Sequence, residues 1–212
     1  TWQGGGFGLV ALNGGNTAHG FYVRDYDTKG VSFPVSNGNA FLESGVWNGT
    51  SANNVQTFKN GVSAGTAAYA PGNVGDAGST RIGAGDGANS NYSFYGDIAE
   101  VIIFNTGLST TNNNKVMSYM GIKYGLTLGI DYLNSAGTTV YSNTDSYTNN
   151  IIGLTRDDGS GLTQKQSKTT DDSTRVYLST LASSNSGNSG SFTSDLSHLM
   201  IGATSGNLHA TT

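Results

Sequence analysis

The sequence contains no cysteine and only 2 prolines. Without cysteine there is neither a disulfide framework nor a thiolate metal site, and redox compartment leaves no trace. Charge is scarce too: Asp, Glu, Lys and Arg make up 11% of the chain, and the net charge of −4 comes without any basic run. Clustered Lys and Arg are the footprint of nucleic-acid binding, so polynucleotide partners are excluded. The two glutamates, Glu43 and Glu100, and the histidines His19, His198 and His209 are scattered. No Gly-x-Ser-x-Gly elbow or His-Glu-x-x-His helix accompanies them, so no catalytic residue is assigned and the chain reads as a non-enzyme. No apolar run approaches the roughly 18 residues that a membrane helix needs. Thr1 begins without a charged or apolar leader, which reads as a soluble, processed product or excerpt whose ends cut through domains.

What fills the chain instead is Gly, Ser, Thr and Asn, which supply 104 of the 212 residues. All four are poor helix formers, which excludes a helical bundle. With 35% apolar residues, including 11 Tyr, 8 Phe and 2 Trp, a core is affordable and the chain reads as folded and turn-rich. Asn13-Gly14, Asn37-Gly38, Asn48-Gly49, Asn60-Gly61, Asp86-Gly87 and Asp158-Gly159 are dipeptides suited to tight type I′ hairpins. Between them, 7–12, 20–25, 40–46, 55–59, 80–83 and 92–104 read as strands. Such spacing predicts an all-β, antiparallel β-sandwich.

The strongest strand candidate is 97–104, whose apolar residues on both faces mark a central strand. One short helix follows: Ser109 can cap it, Asn113, Val116, Met117, Met120 and Tyr124 share a face, and Gly125 can stop it. We place the module boundary near Leu128. Beyond it, 138–141, 150–154, 175–181 and 198–201 read as strands, and the Ser/Gly/Asn-rich 183–191 as a long flexible loop. The run 199–203 reads as a strand cut off from its partners, so the second β-rich module is expected to be incomplete.

Three stretches together resemble the second half of laminin-G-like, concanavalin-like jelly-roll domains. They are Val55-Gln56-Thr57-Phe58-Lys59-Asn60-Gly61-Val62, Arg81-Ile82-Gly83, and Tyr95-Gly96-Asp97-Ile98-Ala99-Glu100-Val101-Ile102-Ile103-Phe104 with Leu108-Ser109. The resemblance covers about 1–128 and implies a jelly roll lacking its first strands. Lys123-Tyr124-Gly125-Leu126-Thr127-Leu128 and 151–167 are similar to an uncharacterised module that follows such domains in large secreted surface proteins of Bacteroidetes-type bacteria, many exported by the type IX route. That implies an extracellular, secreted or cell-surface setting for 1–128 and 129–212 alike.

Three chemistries remain to be weighed. Sandwich glycosidases need two carboxylates about 5–9 Å apart, and no Glu-x-Asp-x-x-Glu cluster offers them, so Glu100 reads as a paired structural carboxylate. Calcium suits oxygen donors from Asp, Asn and loop carbonyls, and Asp supplies 12 of the 14 acids. Asp76 and Asp86, in loops flanking Arg81-Ile82, and Asp97 are the candidate ligands, the alternative being plain Asp-Gly turns. Asp157-Asp158-Gly159-Ser160-Gly161 is a second candidate; its alternative is a hairpin whose carboxylates accept backbone N–H bonds. Carbohydrate would be held by aromatic stacking and amide hydrogen bonds, for which Trp47, Asn48, Asn89, Tyr92 and Tyr95 are the candidates, with Trp47 open to a core or rim role instead. The expected function is a non-catalytic adhesin module that binds carbohydrate or another surface ligand, with calcium assistance. The competing reading is a ligand-free spacer joined to other modules of the same long chain, and a divergent polysaccharide-active enzyme is third.

Overall fold

The computed structural model describes residues 7–12, 17–23, 30–49, 54–69, 81–83, 94–144 and 146–204. Its described residues form an all-β fold of antiparallel sheets with a single helix. Contacts divide the chain into two compact units, one made of 1–39, 43–58 and 63–108, the other of 40–42, 59–62 and 109–212.

The first unit is a β-sandwich. Strands β1 (Phe7–Leu12), β2 (Ala18–Val23) and β3 (Gly30–Pro34) form one sheet with β2 in the centre; β4 (Glu43–Trp47), β5 (Val55–Lys59) and β6 (Val62–Ala67) form another in that order. Pairing in the first sheet is antiparallel, with Leu9 opposite Phe21 and Phe21 opposite Val31. Pro34 can neither donate to a ladder nor sit in a central strand, which fits its place at the end of the outer strand β3. Phe21, Val23, Val55 and Tyr69 bury a shared core between the sheets, with Trp47 packed against it. At the β5–β6 turn, Asn60 and Gly61 both take positive φ, 47° and 83°, the geometry that two-residue hairpins require.

Two expectations for this unit are corrected. Residues 97–104 form no strand, and Ile98, Val101, Ile102, Ile103 and Phe104 are 45%, 45%, 40%, 61% and 45% exposed. An apolar run states a demand for burial but supplies no partner edge, and none of the described strands offers it one. Residues 81–83 likewise form no strand, and the Phe94 N–H donates to the Gly83 carbonyl at 2.9 Å.

The second unit is built on helix α1 (Thr110–Tyr124), which begins where expected: the Ser109 Oγ accepts the Asn112 N–H, and Gly125 closes the helix at φ 65°. The expected boundary near Leu128 is not where the contacts divide; they divide between Leu108 and Ser109, because α1 packs into the second unit. Its buried stripe is Asn113, Met117, Ser118, Gly121 and Ile122. Small Ser118 and Gly121 let the next strands come close, and the Ser118 Oγ donates to Asn114 O at 2.7 Å while accepting the Leu133 N–H at 2.8 Å. Met117, Ile122, Leu126, Leu128, Tyr132, Ile151 and Leu162 complete the core. The buried Tyr132 hydroxyl donates to Leu126 O and accepts from Leu128 N–H, both at 2.8 Å, which fixes the chain as it leaves the helix.

Strands β7 (Tyr132–Leu133) and β8 (Thr139–Tyr141) make a short hairpin. β9 (Asn149–Asp157) is central between β10 (Leu162–Gln164) and β13 (Ser197–Ala203), while β11 (Gln166–Lys168) pairs with β12 (Arg175–Tyr177). The run 199–203 therefore has a partner: within β13, Leu199 lies opposite Leu154 and Ile201 opposite Ile152, antiparallel to β9.

The segment 183–191 is not a loose loop. Asn185 Oδ1 accepts the N–H groups of Lys165 and Gln166 at 2.6 and 3.3 Å, and its Nδ2 donates to Thr163 O at 2.7 Å. Asn188, 1% exposed, donates to Thr180 O at 3.1 Å and accepts the Gly190 N–H at 2.8 Å. These amides take the place of a neighbouring strand, satisfying backbone groups that would otherwise be left without partners. Asn188→Ala is expected to cost about 1–2 kcal/mol and to open 183–191 to limited proteolysis; cleavage no faster than in the parent chain would contradict this ordering.

Candidate functional site

In the first unit, β2 and β4 bring His19 and Glu43 together in the sandwich interior. His19 Nδ1 lies 3.3 Å from Glu43 Oε2, and both side chains are more than nine-tenths buried. The rings of Phe33 and Phe94 flank the imidazole, Phe94 edge-on at 6.0 Å. Burial pushes the Glu43 carboxyl up from its ordinary value, against the lowering pull of His19. Glu43 Oε1 has no hydrogen-bond partner among the described residues. Glu100 is half-buried in 97–104, on neither described sheet.

The carbohydrate candidates separate. Trp47, on β4, is half-buried, with its ring 6.1 Å from Tyr69 at 56° and packed against the core cluster. Asn48 is exposed just beyond the strand, where its N–H donates to Asn54 O at 3.1 Å. Tyr95 is 78% exposed, and Asp97, two residues on, is exposed as well. Asn89, Tyr92, Asp76 and Asp86 lie outside the described residues.

In the second unit, Asp157, at the end of β9, is 4% exposed. Its Oδ2 accepts the Ser135 N–H at 2.7 Å; its Oδ1 accepts the Ser135 hydroxyl at 2.5 Å and the Ser160 N–H at 3.3 Å. Burial pushes this carboxyl up, but the bonds from Ser135 and Ser160 outweigh it and hold the group below its ordinary value. Asp158 instead forks onto Arg156, at 2.9 and 2.8 Å. Both carboxylates already have partners, the arrangement of a hydrogen-bonded hairpin. Among the described residues no group of three or more His, Cys, Asp or Glu is placed to hold a metal ion. His198, on β13, has Nδ1 2.6 Å from the Thr155 hydroxyl, its Nε2 buried without a partner among the described residues, and burial lowers its pKa.

One concave site in this unit escaped the sequence reading. A cavity of about 240 Å³ is lined by residues that include Ala40, Asn60, Thr127, Asn149 and Thr170, and none of its described lining residues is charged. It joins five separate stretches of chain, so no local motif announces it.

Residues 112–212 match the family model of a domain of unknown function, DUF8202. The DUF8202 match opens inside α1 and takes in both the Asp157 hairpin and most of the cavity lining. No curated protein matches the chain, and no solved structure does.

Proposed function

We propose that the chain is a non-catalytic module of a secreted or cell-surface adhesin, related to laminin-G-like domains, and that it binds carbohydrate. The observation that carries this reading is Tyr95: a phenol ring 78% exposed, with the exposed Asp97 two residues away. An aromatic face held in water is what stacks on a pyranose, and a neighbouring carboxylate accepts hydroxyl hydrogens or, with a bound calcium ion, orders the loop. On this reading the partners are surface glycans and further modules of the same chain.

A spacer with no ligand is the second reading. It is favoured by the internal use of amides such as those of Asn185 and Asn188, and by the packing of Trp47 on the core. A glycan array run with calcium and with chelator distinguishes them. Binding to a glycan class is expected, and Tyr95→Ala is expected to weaken it about tenfold or more. Silence across the array, together with no calcium-dependent thermal shift, would establish the spacer instead.

A further inference from the structure

The cavity of the second unit offers a different set of groups from the Tyr95 surface. We infer that it is a binding site for one neutral, hydroxyl-rich unit of monosaccharide size. The walls are fixed by the fold's own hydrogen bonds. Asn60 is held where its Oδ1 accepts the Leu42 N–H at 2.8 Å and its carbonyl accepts the Gly129 N–H at 3.0 Å. The Thr127 Oγ1 accepts the Ile151 N–H at 3.0 Å, and Asn149 Nδ2 reaches Thr204 O at 3.3 Å.

What these bonds leave over is complementary to a polyol. Asn60 Nδ2 keeps its donors, Asn149 Oδ1 keeps its acceptor sites, and the Thr127 hydroxyl still has its proton to give. Thr170, exposed in the turn after β11, adds a hydroxyl that donates and accepts. Among the described lining residues none is charged, so a phosphate, carboxylate or ammonium would meet no counter-charge from them, whereas a sugar hydroxyl would exchange water for amide and hydroxyl partners. The volume of about 240 Å³ is below that of sites for drug-sized ligands, and so suits one ring rather than an oligosaccharide. The site shares its ligand class with the proposal for Tyr95 but not its residues, and it stands or falls separately.

The test is amide chemical-shift titration of the full chain with glucose, galactose and mannose. A Kd of about millimolar order is expected for at least one, since each hydrogen bond only replaces one to water. The shifts should be centred on Thr127, Asn149 and Thr170. Thr170→Val removes a hydroxyl that anchors nothing in the fold, and Ala40→Leu fills the cavity from an exposed position; each should weaken the shifts about tenfold, while Tyr95→Ala leaves them intact. Shifts unaffected by Thr170→Val and Ala40→Leu, or no shifts with any of the three sugars, would overturn this site. If the glycan array still binds in that case, the Tyr95 reading survives; if Tyr95→Ala abolishes array binding while the cavity shifts persist, the two sites are independent.

Discussion

Asp157→Ala is expected to lower the stability of the second unit by about 3–4 kcal/mol in urea denaturation, because it strips a buried hairpin of three donors' common acceptor. The Ser135 N–H and hydroxyl and the Ser160 N–H all converge on this carboxylate, which is 4% exposed. Hydrogen bonds to an ionised group are worth about twice neutral ones, and removing the acceptor leaves the donors to find water in a site with little of it. The same geometry fixes a pH dependence. The folded carboxyl titrates below its ordinary value of 3.8. A depressed folded pKa contributes stability that is complete above the unfolded value, about 3.9, and is lost as pH falls through the folded one. Wild-type protein should therefore weaken below about pH 4, and Asp157→Asn, already lacking the charge, should lose less over the same window. An alanine variant within about 1 kcal/mol of the parent would show that the carboxylate is not what holds the hairpin.

The Asp157 hairpin also shows where local sequence signals end. Asp-Asp-Gly-Ser-Gly announces a turn with carboxylates able to accept backbone protons, but the first partner, Ser135, is 22 residues away in sequence. Signals complete within a few residues translated directly into structure: the Asn60-Gly61 turn, the Ser109 cap and the Gly125 stop. Those that depend on a distant edge did not. The run 97–104 has the composition of a central strand yet pairs with none of the described strands, whereas the Gly30–Pro34 strand, short and bounded by Gly and Pro, pairs with β2 and was not foreseen. The helix face was read one step off, because Ser118 and Gly121 are buried for being small and Tyr132 is the neighbour that makes smallness useful. The cavity residues were invisible for the same reason: Asn60, Thr127, Asn149 and Thr170 meet only in the fold.

The abundance of Asn, 22 residues, first reads as a surface for hydroxyl-rich ligands, but much of it works inside the protein. Asn54 makes the sharpest case. At 1% exposure, its Nδ2 donates to Tyr69 O at 2.5 Å and its Oδ1 accepts the Tyr69 N–H at 2.8 Å, so one side-chain amide pairs with a residue as a neighbouring strand would. Asn54→Ala removes both bonds, leaves a gap beside the core and is expected to cost about 2–4 kcal/mol. Asn54→Asp separates the two functions: it keeps an acceptor for the Tyr69 N–H, yet at neutral pH it sets a buried charge against the Tyr69 carbonyl. That variant should be at least as damaging as alanine at pH 7 and recover toward pH 4, where the protonated acid can donate to the carbonyl again. Unfolding is followed through Trp47, whose ring lies 6.1 Å from Tyr69. Equal stability of the aspartate variant at both pH values would mean that the Asn54 donor is dispensable. Recovery in acid would show instead that this asparagine serves the sandwich as a strand surrogate and is not held in reserve for a ligand.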